Sequence, residues 1–342
     1  MSLDPADFAL TDDQLHAEWQ RVRRALFVGV SRNPRPLVVF VGAQPGAGKT
    51  RSIERVQAWN PDRDFVALDS DELRKAHPRF DDIMAADPEQ MPVLTNQAAS
   101  AWFRMGLADA RAGGYDVLIE NSFHSPDPLL ATAAAFADAG YRIEVVALAV
   151  PEADSRLGMV DRYLQARQEG QPARWTNNAS HDAGYTGVPA TVTALELSPL
   201  VDRVLVTDRA GDVRYDSTPG TANTDPSAAD AVRRIRDIPK TPEQAAVWTA
   251  AHRAVVARID ELGIADQPAI VPVMDRLERT ARDVRRSTSR PRPERPDRDT
   301  RRRSTRSVDR PAQSGPAYDG SDYDGPDYDD GPSHRHGHGP SR

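Results

Sequence analysis

One loop of this 342-residue chain has the composition needed to bind a nucleotide phosphate. It reads AQPGAGKT, Ala43 to Thr50; the apolar run Leu37–Val41 precedes it and a segment with helical spacing follows it. Residues without bulky side chains let backbone N–H groups turn inward onto a polyphosphate. Lys49 would reach the β- and γ-phosphates, and the Thr50 hydroxyl would ligate Mg²⁺. The predicted nucleotide-binding residues are Gln44, Pro45, Gly46, Ala47, Gly48, Lys49 and Thr50.

A pair of acidic residues, Asp69 and Asp71, follows the second apolar run in FVALDSDELRKAHPRFDD. Ligands of open α/β sheets bind at the carboxyl ends of the strands, so one of these carboxylates could accept a proton from an acceptor hydroxyl. The alternative is that Asp69 or Ser70 only caps a helix predicted over 72–76. We favour catalysis for at least one of the two carboxylates, and for Asp71 if Asp69 serves as the cap.

A third carboxylate, Glu120, ends a predicted strand in GYDVLIENSFHSPD. An acidic residue in this place can hold Mg²⁺ through water or bind a substrate hydroxyl. The alternative is a carboxylate that faces solvent at the end of its strand. His124, in the loop that follows, is either a ligand contact or a solvated side chain.

Four arginines lie in DSRLGMVDRYLQARQEGQPARWTNNASHD. A phosphoryl-transfer site must neutralise charge on the moving group, and arginines on a mobile helix and loop do this well. Arginine on a surface helix is otherwise an ordinary solvated residue. The spacing alone does not distinguish among the four, which are Arg156, Arg162, Arg167 and Arg174.

The elements that would position these side chains alternate along the chain. Short apolar runs with helical segments between them predict an α/β fold, in which a parallel sheet is covered by helices on both faces. The runs are 37–41, 65–68, 117–119, 143–150 and 204–206. We divide the chain into an N-terminal helical segment (1–36), a phosphate-loop domain (37–216), a linker and helical extension (217–285) and a low-complexity, disordered tail (286–342).

Composition excludes several classes of function. A net charge of -7 argues against a generic nucleic-acid binder, so we expect nucleic-acid contact only through the basic, Arg-rich part of the tail. The absence of cysteine excludes disulfides, thiol catalysis and cysteine-ligated zinc. The N-terminus lacks the features of a signal peptide, and no apolar run approaches the ~20 residues that span a bilayer. We therefore expect a cytoplasmic protein with no membrane partner.

The chain resembles the zeta toxin family of bacterial toxin–antitoxin systems over about residues 8–215. The resemblance is carried by FALTDDQ, GAQPGAGKT, LDSDELRKAHPRFDD, GYDVLIE, ALAVPEADSRLGMVDRY and ARWTNNASHD. Members of this family are phosphate-loop kinases that phosphorylate the sugar 3′-hydroxyl of UDP-N-acetylglucosamine and so block cell-wall synthesis. The resemblance thus implies ATP and Mg²⁺ as cofactors, a nucleotide-sugar substrate and a protein antitoxin as partner.

The resemblance also implies roles for individual residues. Asp71 matches the general base, Glu120 the acidic strand end at the sugar and metal, and Thr132 a substrate-binding threonine. Arg162 and Arg174 match the pair that clamps the γ-phosphate. The predicted catalytic residues are therefore Lys49, Asp71, Arg162 and Arg174. The predicted substrate-binding residues are Glu120, Ser122, His124 and Thr132.

Two departures from the family pattern leave the acceptor open. Residues 121–124 read NSFH where the family commonly has a small, glycine-rich stretch with a basic residue, and Arg104 stands where an acidic substrate contact is expected. The alternative acceptors are another nucleotide, a dinucleotide such as NAD, or the hydroxyl of a small metabolite. A nucleotide-binding interaction protein with a recruiting tail is the hypothesis from another class, but such a protein has no need for these carboxylates and arginines together.

Overall fold

The described residues, 3–170, 173, 175–217 and 226–289, form a six-stranded sheet in the computed structural model. The strand order is β2-β3-β1-β4-β5-β6. All neighbouring strands pair parallel except β6, which pairs antiparallel with β5. This confirms the predicted α/β fold with a parallel sheet. The strands are β1 (Leu37–Gly42), β2 (Phe65–Leu68), β3 (Asp116–Asn121), β4 (Arg142–Leu148), β5 (Arg203–Thr207) and β6 (Val213–Ser217).

Helices connect the strands and continue beyond the sheet. Those before β4 are α1 (Asp12–Phe27), α2 (Lys49–Trp59), α3 (Ser70–Arg74), α4 (Phe80–Ala86), α5 (Met91–Leu94), α6 (Asn96–Gly113) and α7 (Asp127–Ala137). Those after β4 are α8 (Glu152–Gln168), α9 (Asn178–Glu196), α10 (Ala228–Arg236), α11 (Pro242–Glu261) and α12 (Val271–Ser289). None of the described helices combines the length and the apolar composition needed to cross a membrane.

The central strand β1 is buried along its whole length, as expected for a parallel strand covered on both faces. Val38 and Phe40 point to the core beneath α7, α9 and α10, whereas Val39 and Val41 pack with Val56 of α2 on the other face. The loops after β1, β2 and β3 therefore emerge side by side at one edge of the sheet. This edge brings the phosphate loop, the acid pair and Glu120 together.

The helices after residue 226 pack on the domain that precedes them. Buried residues of α11 and α12 share one core with buried residues of α8. Trp248 of α11 donates its indole N–H to the carbonyl of Ala153 (3.0 Å), and Lys240 forms an ion pair with Asp154 (2.6 Å). The segment that we predicted as an extension thus packs against α8, the helix that carries Arg162.

Helix α12 ends at Ser289, past the boundary at 285 that composition predicts. Ala281 and Val284 are buried in the core shared with α8, which holds the end of this helix against the domain. Residues 218–225 of the predicted linker and the tail from residue 290 onward lie outside the described residues.

Candidate active site

The phosphate loop, residues 43–50, joins the end of β1 to the start of α2. Gly46 and Gly48 have φ angles of 76° and 89°, a left-handed conformation that glycine adopts without strain. Gly48 directly precedes α2, and no side-chain hydrogen bond among the described residues caps this helix start. The first N–H groups of α2 therefore remain available to an anion, as phosphate binding requires.

The same loop lies in direct backbone contact with α8. A Cβ atom added to Gly46 would lie 2.0 Å from the carbonyl oxygen of Ser155, and one added to Gly158 would lie 2.6 Å from the carbonyl oxygen of Gly46. Neither position accepts a methyl group, so the loop and the helix approach as closely as two backbones can. Arg162 lies one helical turn after Gly158, so this contact fixes the distance between the loop and the helix of Arg162.

Gln44 anchors the loop from the opposite side. Its side chain is fully buried; Nε2 donates to the carbonyl of Val150 (3.0 Å), and Oε1 accepts from Nη2 of Arg236 (2.9 Å). The guanidinium of Arg236 stacks over the ring of Tyr185, 4.0 Å from its centroid. Burial lowers the pKa of Arg236 to about 10. Helix α10 therefore contributes directly to the support of the phosphate loop.

Sequence reasoning missed Arg236 because it treated α10 as part of an extension. A signal was present in the spacing. Ala228 and Val232 are buried on one face of α10, and Arg236 follows four residues later on the same face. An arginine on the apolar face of a helix is predicted to be buried against a partner rather than exposed to solvent.

Lys49 begins α2 and forms an ion pair with Glu120, with Nζ 3.2 Å from Oε1. The pairing of β1 with β3 places Glu120 beside Val41, just before the loop. Asp69 lies close enough to Lys49 and Glu120 for both of their charges to affect its pKa. Its burial, followed by the charge of Glu120, raises the pKa of Asp69 to about 6, although Lys49 acts in the opposite direction. One cation and two carboxylates thus share the sheet edge.

The two members of the acid pair have different environments. Asp69 caps α3, since its Oδ1 accepts a hydrogen bond from the backbone N–H of Asp71 (2.8 Å). The side chain of Asp71 is 41% exposed and lies 3.5 Å from Nε of Arg74. Arg74 is held in turn by the carbonyl of Pro92 and the hydroxyl of Thr95. The capping alternative therefore applies to Asp69, and the choice of Asp71 as the base stays a prediction.

Residues that we predicted to bind the acceptor substrate lie in the loop after β3 and in the helix after that loop. Ser122 Oγ and His124 Nδ1 lie 2.7 Å apart and are hydrogen-bonded. Thr132 lies in α7, where its hydroxyl donates to the carbonyl of Pro128 (2.8 Å). Arg104, in α6, is exposed. The structure thus joins Ser122 to His124, whereas Thr132 is engaged within its own helix.

Burial distinguishes Arg156 from Arg162 and Arg167, which the spacing alone could not do. Arg156 is only 2% exposed and pairs with Glu152 and Asp182, which ties α8 to α9. Arg167 is exposed and donates to the hydroxyl of its neighbour Tyr163.

The predicted clamp residues are Arg162 and Arg174. Arg162 is exposed, and its Nη2 lies 3.4 Å from the hydroxyl of the buried Thr176. Arg167 of the same helix is exposed as well, so burial does not choose between the two, and the place of Arg162 in the clamp stays a prediction. Arg174 lies outside the described residues, so its place in the clamp stays a prediction.

Two neighbouring cavities lie beside the phosphate loop. One of about 500 Å³ is lined by Gly48, Thr50, Arg51, Arg209 and Ala210. A larger one of about 810 Å³ shares Arg209 and Ala210 and continues between α8 and α11, where its lining is mainly apolar. The first can hold phosphates, and the second has room for a nucleoside.

Comparison with known proteins agrees with this geometry. The sequence profile described as Zeta toxin matches residues 21–219. Toxin zeta of Streptococcus agalactiae is 25% identical over 183 residues, which are 53% of this chain and 63% of that protein. Toxin PezT of Streptococcus pneumoniae serotype 4 is 25% identical over 227 residues, which are 66% of this chain and 87% of that protein. The match to the first of these relatives therefore spans less than two thirds of its length.

A solved structure shares the fold. It is a chain from the PezAT chromosomal toxin–antitoxin system of Streptococcus pneumoniae, with a TM-score of 0.63 and 22% identity; the match covers 75% of this chain and 98% of that one. The family profile spans more than half of the residues, and it includes the phosphate loop, the acid pair and the arginine helix. On this evidence the chain belongs to the zeta toxin family.

Proposed function

We propose that this protein is an ATP-dependent kinase that phosphorylates the sugar 3′-hydroxyl of UDP-N-acetylglucosamine and thereby acts as a bacterial toxin that blocks cell-wall synthesis. The observation that carries the proposal is the convergence of the phosphate loop, the Lys49–Glu120 pair and the acid pair at one edge of the sheet. A protein that only binds nucleotides needs the loop but not the acids. Family membership favours the nucleotide-sugar acceptor over other hydroxyls.

The donor nucleotide would extend from the loop into the adjoining cavity. Its phosphates would accept hydrogen bonds from the start of α2, and its nucleoside would pass Arg209 and Ala210, which line both cavities. The donor set also fits Mg²⁺, since Thr50 offers a hydroxyl at the start of α2 and Glu120 offers a carboxylate near the end of β3, and Mg²⁺ completes such sites with phosphate oxygens and water. When bound, the ion would neutralise charge on the β- and γ-phosphates.

The acceptor hydroxyl would lose its proton to Asp71, whose side chain is 41% exposed. Lys49, Arg162 and Arg174 would stabilise negative charge on the phosphoryl group during transfer. Nucleotide phosphates compete with Glu120 for Lys49. Donor binding would therefore release Glu120 to accept a hydrogen bond from the acceptor sugar, and the two substrates would bind with positive cooperativity.

We also propose a protein antitoxin as partner. The chain that shares this fold was characterised as part of a toxin–antitoxin system. A kinase that is toxic to its own cell requires an inhibitor. Co-expression with the product of an adjacent gene should restore growth that expression of this chain alone arrests.

The test of the activity is a direct search for the phosphorylated product. Purified protein is incubated with ATP, Mg²⁺ and a panel of UDP-sugars, nucleotides and dinucleotides, and each acceptor is weighed by mass spectrometry. UDP-N-acetylglucosamine should gain the mass of one phosphate. A gain on a different member of the panel would support the alternative acceptors, and no gain on any member would favour the nucleotide-binding interaction protein.

A further inference from the structure

The loop after β3 contains a backbone conformation that its sequence does not favour. Phe123 has a φ angle of 51°, and it is the non-glycine residue with positive φ among the described residues. Aromatic residues rarely adopt this left-handed conformation, and such outliers persist where the surroundings impose them. The side chain of Phe123 is also completely buried.

Hydrogen bonds on both sides of Phe123 hold the backbone in place. Its N–H donates to Oδ1 of Asn121 (2.9 Å), and its carbonyl accepts from the hydroxyl of Thr191 in α9 (2.9 Å). The aromatic ring packs on the end of β1, where a Cβ atom added to Gly42 would lie 2.1 Å from the ring. The ring thus takes the space that any side chain at position 42 would need.

Helix α9 supports the loop from the other side. A Cβ atom added to Gly187 would lie 2.4 Å from the carbonyl oxygen of His124. One turn earlier, Gly184 packs on Gln44 of the phosphate loop, with the added Cβ 3.0 Å from its Cα. One face of α9 therefore contacts the donor loop and the acceptor loop, and it leaves the Phe123 backbone no room to relax.

We propose that Phe123 is a positioning residue that sets acceptor specificity by holding the Ser122–His124 pair in place. This inference rests on the proposed kinase function. Ser122 and His124 flank Phe123, and their hydrogen bond of 2.7 Å requires the tight turn that the left-handed residue makes. With Nδ1 engaged by Ser122, the ring nitrogen that can meet the acceptor is Nε2 of the exposed His124.

The ligand class follows from this chemistry. A serine hydroxyl and an imidazole nitrogen recognise oxygen atoms, so the pair would bind a hydroxyl or phosphate oxygen of the acceptor. The pair lies two and four residues after Glu120, in the loop that follows β3. A change in the turn should therefore alter acceptor binding much more than donor binding.

The test compares variants that disturb the turn with one that disturbs only the core. Phe123→Gly permits the left-handed backbone but removes the ring, and Thr191→Val removes one hydrogen bond to the loop. Phe136→Leu truncates an equally buried phenylalanine on α7. We expect Phe123→Gly to raise the KM for UDP-N-acetylglucosamine by about tenfold, the size expected when a hydrogen-bonded contact is lost, with a smaller rise for Thr191→Val. The KM for ATP should change less than about twofold in both, and Phe136→Leu should leave both constants unchanged.

A second readout does not depend on the acceptor. Nitrogen NMR of histidine-labelled protein reports the hydrogen bond at Nδ1 of His124, and Ser122→Ala identifies its signal. The signal should shift toward that of Ser122→Ala in Phe123→Gly and in Thr191→Val. An unchanged His124 signal in a folded Thr191→Val variant, together with an unchanged acceptor KM, would overturn the inference even if Phe123→Gly fails to fold.

The outcomes also separate this inference from the proposed function. If the wild-type protein phosphorylates a different member of the acceptor panel, the proposed acceptor fails, and the same variants are measured on the acceptor found. If the KM for ATP rises as much as the KM for the acceptor, the kinase stands and the role of Phe123 fails. If no acceptor is phosphorylated at all, both proposals fail.

Discussion

The donor side and the acceptor side of this site are built differently. On the donor side, left-handed positions are filled by Gly46 and Gly48, and the predicted phosphate contacts are backbone N–H groups. On the acceptor side, the left-handed position is filled by Phe123, and the predicted contacts are side chains. A site made of backbone recognises any polyphosphate, whereas a site made of side chains changes its ligand when its residues change. The donor is therefore the more general property of the fold, and the acceptor is the more particular one.

The largest effect should come from the residue that belongs to both sides. Lys49→Ala should reduce phosphoryl transfer by roughly 10³-fold or more, because Lys49 would neutralise the transferred charge and also pairs with Glu120. Lys75→Ala is the matched control, since Lys75 pairs with Glu72 on the surface of α3. Transfer rates measured with saturating ATP and acceptor decide it. Near-normal transfer by a folded Lys49→Ala variant would show that the phosphate loop is not the donor site.

Substitutions in the acid pair test the acceptor side alone. Asp71→Asn keeps the shape of the side chain but cannot take a proton, so kcat should fall by roughly 10²–10⁴-fold while ATP affinity holds. Glu72→Gln, one residue along and largely exposed, is the control. If Asp69→Asn is the more damaging change, the base is Asp69 and our choice within the pair is wrong.

The clamp should act on the transition state rather than on binding. Arg162→Ala should lower kcat by roughly 10²-fold with a much smaller change in the KM for ATP, since the charge it meets develops during transfer. Arg167→Ala, on the same helix, should leave both constants near wild type. Equal losses in kcat and in ATP binding would show that Arg162 makes an ordinary ground-state contact.

The support behind the donor loop predicts a smaller effect. Arg236→Met removes the hydrogen bond to Gln44 and should raise the KM for ATP by about tenfold, the size expected for a hydrogen bond from a charged group. The KM for the acceptor should change little. Arg234→Met, two residues away on the exposed face of α10, is the control. An unchanged KM for ATP would show that the loop holds its shape without α10.

The smallest effect concerns pH. The pKa of Asp69 is raised to about 6 in the folded protein, mainly by burial, so between pH ~4 and ~6 the native state binds more protons than the unfolded chain. The free energy of unfolding should therefore fall as pH rises through this window, by on the order of 1–2 kcal/mol. Asp69→Asn keeps a capping oxygen and should abolish that fall. Thermal unfolding measured across this pH range tests the prediction. Parallel plots of the free energy of unfolding against pH for the wild type and Asp69→Asn would refute it.

The division between backbone and side chain also explains what the sequence could predict. The apolar runs and the phosphate loop are local patterns, so they predicted the parallel sheet and a loop between β1 and α2 directly. The cap at Asp69 was foreseen as an alternative because it too is local. The link from Arg236 to Gln44 spans 192 positions, and no local pattern joins them. The conformation of Phe123 could not be predicted either, since it depends on space that Gly42 and α9 create.

We propose that this sheet edge moves a phosphoryl group from ATP to the sugar 3′-hydroxyl of UDP-N-acetylglucosamine. Phosphorus NMR of wild-type protein with ATP, Mg²⁺ and UDP-N-acetylglucosamine tests it in one experiment. We predict a new phosphomonoester signal that is coupled to the proton at the sugar 3′ carbon and grows in step with ADP. Conversion of ATP to ADP and inorganic phosphate alone, with the nucleotide sugar unchanged, would contradict it.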